Sequence, residues 1–197
     1  TRNFEKSLFH LRKLEELMTK SETVNMNYRG KRMAISSFIQ VFDSKIDIAI
    51  KETEVFLENE SNKISIQENL NLSLNLSAYH AMVGEYSKSM RILNFMSESD
   101  KYYQKEMGRE WLIRKEMILA IIQYSLGNID LCLKIMKNIE IKHKDMLQAE
   151  QYSMVIHFIN AIRHFIKKPH ESDENLLNEI EKKINSEGIE TNIDEIK

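Results

Sequence analysis

Two stretches of the chain share one skeleton, GEYSKSMRILNFM at residues 84–96 and GNIDLCLKIMKNI at residues 127–139. Each contains a small residue, Ser89 or Cys132, with an aromatic or aliphatic residue three positions earlier. Apolar residues follow one and four positions after the small residue in both stretches. The shared skeleton indicates an internal repeat, and a repeat constrains the fold more strongly than any single motif does.

The repeat extends toward the start of the chain, where the same frame fits Ser7 and, in part, Ala49. The small residues at positions 7, 49, 89 and 132 are spaced by 42, 40 and 43 positions. A small side chain lets two antiparallel helices approach closely, whereas a larger one would wedge them apart. The spacing therefore predicts stacked helix-turn-helix units of about 42 residues.

The composition favours helices throughout. The chain has 5 glycines and 1 proline among 197 residues, which leaves too few turn-forming residues for an all-β fold. We therefore predict an all-α repeat domain over residues 1–184, the C-terminal part of a longer array, followed by a polar tail or linker at residues 185–197. The predicted helices cover residues 3–20, 28–43, 45–60, 66–83, 86–97, 109–126, 129–142, 146–167 and 172–184.

Two local features bear on where these helices begin. Ser65 and Glu68 have the spacing of a capping box, which predicts a helix start at this point. Gly108 leaves two alternatives open, because it could kink one long helix that begins near Ser99 or separate a short helical turn from the main helix.

Charge and cysteine content exclude several classes of protein. The 28 basic and 30 acidic residues give a net charge of -2, which provides no overall attraction for nucleic acid or anionic membranes. The single cysteine, Cys132, excludes an internal disulfide framework and fits a reducing compartment. No apolar run reaches the length of a membrane span. We expect a cytoplasmic protein without a membrane span.

The sequence contains no motif that would support catalysis. It lacks a glycine-rich phosphate loop, a cysteine pair, a His-Glu-x-x-His motif and a nucleophile elbow. His157 and His164 share a helix face, but metal ligation favours spacings of three or four and needs a third ligand. The acidic stretch at residues 168–175 is typical of a helix boundary after Pro169. We therefore predict no catalytic residue, no metal and no cofactor, and we do not expect an enzyme.

The repeat resembles the tetratricopeptide family. The residues that match the family's turn and second helix are Gly84, Tyr86, Ser89 and Leu93 in one unit and Gly127, Asn128, Ile129, Cys132 and Met136 in the next, with Ser77 and Ala120 at the small position of the first helices. The repeat length is greater than the about 34 residues of the family's repeat. In addition, no Trp opens the first helices, and the proline that closes the family's repeat is absent. The chain is therefore similar to a divergent, long-repeat variant of 40–43 residues. The resemblance implies a right-handed α-solenoid whose first helices line a concave face.

The resemblance also implies which side chains face a ligand, since family positions can be counted back from the turn glycine. Ser44 takes the place of the glycine in the earliest of these units, and Lys167 does so in the last. The implied partner-binding residues on the concave face are Lys31, Phe38, Asn71, Leu74, Arg114, Met117, Ile121, Tyr124 and His157. This face is apolar with basic groups near one edge, so it suits a protein or peptide with apolar anchors and some acidic residues.

Two functional hypotheses remain open from the sequence. The first is a non-enzymatic scaffold or adaptor that binds a protein or peptide on the concave face. The alternative is a peptide-sensing regulatory domain that controls an attached effector or DNA-binding domain N-terminal to this chain. Direct binding of nucleic acid is not expected, because Tyr102, Tyr103 and Trp111 lack the interleaved basic residues of a stacking groove and are better explained by packing between repeats.

Overall fold

A computed structural model of the chain describes residues 2–168, except for the side chains of residues 2–5 and Ser7. The described residues are helical and contain no β-strand. The predicted helix at residues 172–184 and the predicted tail lie outside this part of the chain. The helices are α1 (Arg2–Lys20), α2 (Glu22–Phe42), α3 (Ile46–Glu60), α4 (Ile66–Met82), α5 (Tyr86–Phe95), α6 (Asp100–Met107), α7 (Arg109–Ser125), α8 (Ile129–Lys142) and α9 (Ser153–Lys167).

The turns after α2, α4 and α7 have the same backbone geometry. Ser44, Gly84 and Gly127 have φ angles of 58°, 80° and 77°, the left-handed region that favours glycine. After α4, the amide of Gly84 donates to the carbonyl of Ala81, and the amide of Glu85 donates to the carbonyl of His80. This pair of bonds defines a Schellman motif, and the same pair recurs around Ser44 and Gly127. The prediction that Ser44 replaces the glycine is confirmed.

The small residues at the repeated positions are fully buried. Ala49, Ser89 and Cys132 have 0% exposure. The predicted close approach is confirmed at Ser89, whose hydroxyl lies 2.9 Å from that of Ser77. The first helices contribute Ser37, Ser77 and Ala120, each also at 0% exposure and each 12 positions before its counterpart. Burial raises the pKa of the Cys132 thiol, as expected for an unreactive core cysteine.

The order of helix packing repeats from one unit to the next. Helix α2 packs against α3 and α4, and α4 packs against α5 and α7. The first helices of successive units are therefore in direct contact. Helices α2 and α4 run in the same direction, because Gly30 contacts Glu68 and, further along both helices, Ser37 bonds Tyr79.

Helices α2 and α4 approach each other closely at Gly30. A Cβ atom on Gly30 would lie 2.9 Å from the Cβ of Glu68, so only glycine fits at this position. Glu68 also caps its own helix, since its carboxylate accepts the Ser65 amide at 3.1 Å and its amide donates to the Ser65 hydroxyl. The predicted capping box is confirmed, and its glutamate packs against the neighbouring unit.

Several helix boundaries differ from the sequence prediction. Helix α2 begins at Glu22 rather than at residue 28, because the Ser21 hydroxyl accepts the Val24 amide and caps a helix start further upstream. Residues 146–152 form two short 3-10 turns rather than the start of the last described helix. Gly108 separates α6 from α7 with a φ angle of 82°, which decides between the two alternatives in favour of a separate short helix.

One hydrophobic core cluster joins α4, α5, α6 and α7. Tyr103 and Trp111 are each 1% exposed, and their ring centroids are 5.2 Å apart, so these aromatics pack where α6 meets α7. The cluster around them contains Leu74, Leu93, Met96, Leu112 and Ile122. Burial of these large side chains supplies most of the stabilisation of the unit.

Independently of the repeats, the chain divides into two compact bodies, with the boundary after Ile139. In the second compact body, α9 buries Ile159, Ala161 and Ile162. Arg163 binds both carboxylate oxygens of Glu140, at 2.7 and 2.6 Å, and this bond raises the pKa of the guanidinium. None of the helices in residues 2–168 combines the length and apolar character that crossing a membrane requires.

Candidate functional site

The most exposed apolar surface among the first helices lies on α2. Phe38 and Phe42 are 52% and 64% exposed, and their ring centroids are 4.6 Å apart. Tyr28 and Ile35 on the same helix are 40% and 38% exposed. Lys31 is exposed between them, and its ammonium lies 5.0 Å from the centroid of the Tyr28 ring.

Helices α4 and α7 place polar residues at the position equivalent to Lys31. Asn71 and Arg114 stand 13 positions before Gly84 and Gly127, as Lys31 stands 13 before Ser44. The Arg114 Nη2 donates a long hydrogen bond of 3.5 Å to the Asn71 Oδ1. Equivalent side chains of neighbouring units therefore lie side by side. We call Lys31, Asn71 and Arg114 the polar row.

Arg114 carries a positive charge in a partly enclosed setting. Its side chain is exposed, yet surrounding protein atoms desolvate the guanidinium and lower its pKa, an effect that the charge of Glu110 opposes. An arginine remains protonated at neutral pH despite such a shift. A desolvated guanidinium offers a stronger interaction to an incoming carboxylate than a fully hydrated one does.

The remaining predicted positions on α4 and α7 differ in accessibility. Ile121 is 36% exposed, and Met117 and Tyr124 are half-buried. Leu74 is 2% exposed and belongs to the core cluster with Trp111. A partner cannot reach Leu74. Counting family positions back from the turn glycine therefore assigned a core residue to the binding face.

Sequence reasoning missed Tyr28 and Ile35. The resemblance assigns fixed positions counted from the turn, and neither residue occupies one of them. The signal was present nonetheless, because both lie on the helical stripe defined by Lys31, Phe38 and Phe42. A search for exposed apolar periodicity along α2 would have found them.

His157 lies in the second compact body of the chain, where it is half-buried on α9. Its contribution to a shared binding face therefore stays a prediction. Within residues 2–168, no group of His, Cys, Asp and Glu side chains has a geometry that could hold a metal ion.

One cluster of titratable groups lies on a different side of α4. The buried imidazole of His80 places Nδ1 2.6 Å from a Glu85 oxygen and Nε2 3.2 Å from a Glu54 oxygen. Lys88 donates to the other Glu85 oxygen at 2.7 Å, and this bond, followed by the contact with His80, lowers the pKa of Glu85. The cluster connects α3, α4 and α5, so its geometry supports a structural role at this junction.

Comparison with known proteins does not identify the chain. No family model matches it, and searches of curated proteins and of solved structures find no match. The functional argument therefore rests on the geometry of the chain itself.

Proposed function

We propose that the chain is a non-enzymatic helical-repeat scaffold, a divergent tetratricopeptide-like solenoid that binds a protein or peptide on the face formed by α2, α4 and α7. The observation that carries the proposal is the contact between Asn71 and Arg114. Because these residues hold the same register position in neighbouring units, the repeat aligns equivalent side chains into rows across the face.

The chemistry of this face favours a partner with apolar side chains and acidic groups. The exposed aromatic rings of Phe38 and Phe42 offer apolar area, and such rings provide much of the affinity of protein interfaces. Lys31 and Arg114 offer positive charge in the polar row. Such charges mainly accelerate association and select the orientation of the partner.

The proposal is tested by reversing the two charges of the polar row. A partner is first recovered by affinity capture with the parent chain, and its binding kinetics are then measured at two salt concentrations. We expect the Lys31→Glu, Arg114→Glu double variant to associate at least about tenfold more slowly, with a weaker salt dependence. The matched control is Lys134→Glu, Arg91→Glu, which reverses exposed charges of the same types on α8 and α5.

The two doubles carry the same net charge, so a general electrostatic effect would slow both equally. Circular dichroism and a melting curve establish that both remain folded, as expected because exposed charges contribute little to stability. A captured partner that binds the folded polar-row double as fast as it binds the control would exclude this face as the binding surface.

A further inference from the structure

The exposed stripe on α2 has the spacing of a helix-packing seam. Its members lie at positions 28, 31, 35, 38 and 42, so the intervals are 3, 4, 3 and 4. All five are exposed. This alternation is the a/d pattern through which one α-helix packs against another, because it keeps each side chain facing the partner helix over successive turns. We call Tyr28, Lys31, Ile35, Phe38 and Phe42 the α2 seam.

The apolar surface is elongated along α2 rather than across the units. Over 14 positions the α2 seam runs for about 21 Å. The equivalent positions on α4 are Asn71, Asn75, Ala78 and Met82, and of these four only Met82, 64% exposed, is a large apolar residue. If an extended peptide crossed from α2 to α4, only one or two of its side chains would contact the aromatic residues of α2. A helix parallel or antiparallel to α2 would contact the whole seam.

Charge indicates what the partner helix carries. The Lys31 ammonium stacks on Tyr28 and forms no ion pair with any carboxylate in the described part of the chain. Docking a helix on the α2 seam would remove this ammonium from water, which is unfavourable unless an acidic side chain accompanies it. The other seam positions are apolar and call for apolar partners.

We propose that the partner contributes an amphipathic α-helix that packs along the α2 seam, with apolar a and d residues and one Asp or Glu against Lys31. This inference rests on the proposed function and specifies the conformation of the bound segment. The seam holds the helix, and the other members of the polar row, Asn71 and Arg114, bind groups that extend beyond it toward α4 and α7.

Two displayed peptide libraries test the inference. One contains 21-residue peptides with apolar residues or Glu at heptad a and d positions, and the other contains peptides of equal length with a proline every third residue, which prevents helix formation. Binders selected on the parent chain are measured against Ile35→Asp and Tyr28→Ser in the seam and against Arg114→Glu in the polar row. Ile48→Asp, at a similarly exposed apolar residue of α3, is the matched control.

We expect binders from the heptad library that gain helicity by circular dichroism on binding, lose at least about tenfold in affinity with either seam variant and tolerate Ile48→Asp. Two different seam positions are used so that an unfolded variant does not decide the result, and melting curves establish the fold of each.

The other outcomes separate this inference from the proposed function. Binders that come only from the proline library and depend on Arg114 but not on Ile35 would overturn the helix while leaving the binding face in place. Binders insensitive to both residues, or none from either library, would count against both proposals. A chain that dimerises in sedimentation experiments, and becomes monomeric with Ile35→Asp, would show the seam to be a self-interface and overturn the separate partner helix.

Discussion

The buried hydroxyl groups of Ser77 and Ser89 lie 2.9 Å apart where α4 packs against α5. Ser89 Oγ donates to the Ser77 carbonyl at 2.6 Å, and Ser77 Oγ lies 3.2 Å from the Ser89 carbonyl. The residues at the equivalent positions, Ser37 with Ala49 and Ala120 with Cys132, are also fully buried, but neither set contains two hydroxyl groups. At the α4–α5 contact, polar bonding therefore supplements close packing.

This pairing predicts a non-additive mutational cycle. Ser77→Ala alone should cost about 1–2 kcal/mol of unfolding free energy, because it leaves the buried Ser89 hydroxyl with fewer partners. Adding Ser89→Ala should cost less than the sum of the two single changes, since the double variant resembles the apolar Ala120 and Cys132 pair. Urea unfolding of the four proteins measures the cycle. Strict additivity would mean that the two hydroxyls do not interact.

Close packing at the small positions predicts that larger residues destabilise the chain. Ala49→Leu and Cys132→Leu should each lower the unfolding free energy by about 1–3 kcal/mol, because both sites are fully buried and have no room for the added methylene groups. Ile48→Leu, on the exposed side of α3, provides a volume-conserving control. Thermal melting measures all three, and unchanged transitions for both core variants would refute the close-approach interpretation.

The shared turn geometry predicts substitutions of opposite sign at equivalent positions. Gly84→Ala should destabilise by about 1 kcal/mol, since a Cβ meets nothing within 4 Å and the cost is the left-handed backbone alone. Ser44→Gly should stabilise by a few tenths of a kcal/mol to about 1 kcal/mol, because relief of that strain exceeds the added entropy of the unfolded chain. Chemical denaturation distinguishes the signs, and destabilisation by Ser44→Gly would contradict the assignment.

Two glutamates predict a loss of stability in acid. A hydrogen bond from Lys88 and then one from His80 lower the pKa of Glu85, and bonds from Lys63 and then Arg29 lower that of Glu60. A depressed pKa in the folded state adds stability above the ordinary value near 4.5, and this stability is lost as pH falls through the folded value. Melting between pH 6 and pH 3 should therefore show a decline.

The Glu60→Gln, Glu85→Gln double variant should reduce the slope of that decline. The control variant, Glu52→Gln with Glu58→Gln, changes two exposed glutamates of α3 and removes the same net charge. If the melting temperatures of both double variants depend on pH as that of the parent chain does, other groups cause the acid sensitivity.

The sequence alone was sufficient for the repeat period, the positions of the turns and the small residues at the helix crossings. These features follow from local chemistry, because a positive φ angle restricts the turn residue and close helix approach restricts side-chain size. The capping box at Ser65 was likewise readable, since its bonds join residues three positions apart. The start of α2 at Glu22 was missed because Ser21 is one of several possible caps and its pattern is weaker.

Only the tertiary structure decided which apolar side chains are core and which are surface. Leu74 and Phe38 are both large apolar residues assigned to the ligand-facing side of their helices, yet one is 2% and the other 52% exposed. Helix α4 lies between α2 and α7, so neighbours cover Leu74, while the described part of the chain leaves the side of α2 that carries Phe38 exposed. Burial depends on residues distant in sequence, and for that reason periodicity could place both side chains on one face but could not distinguish them.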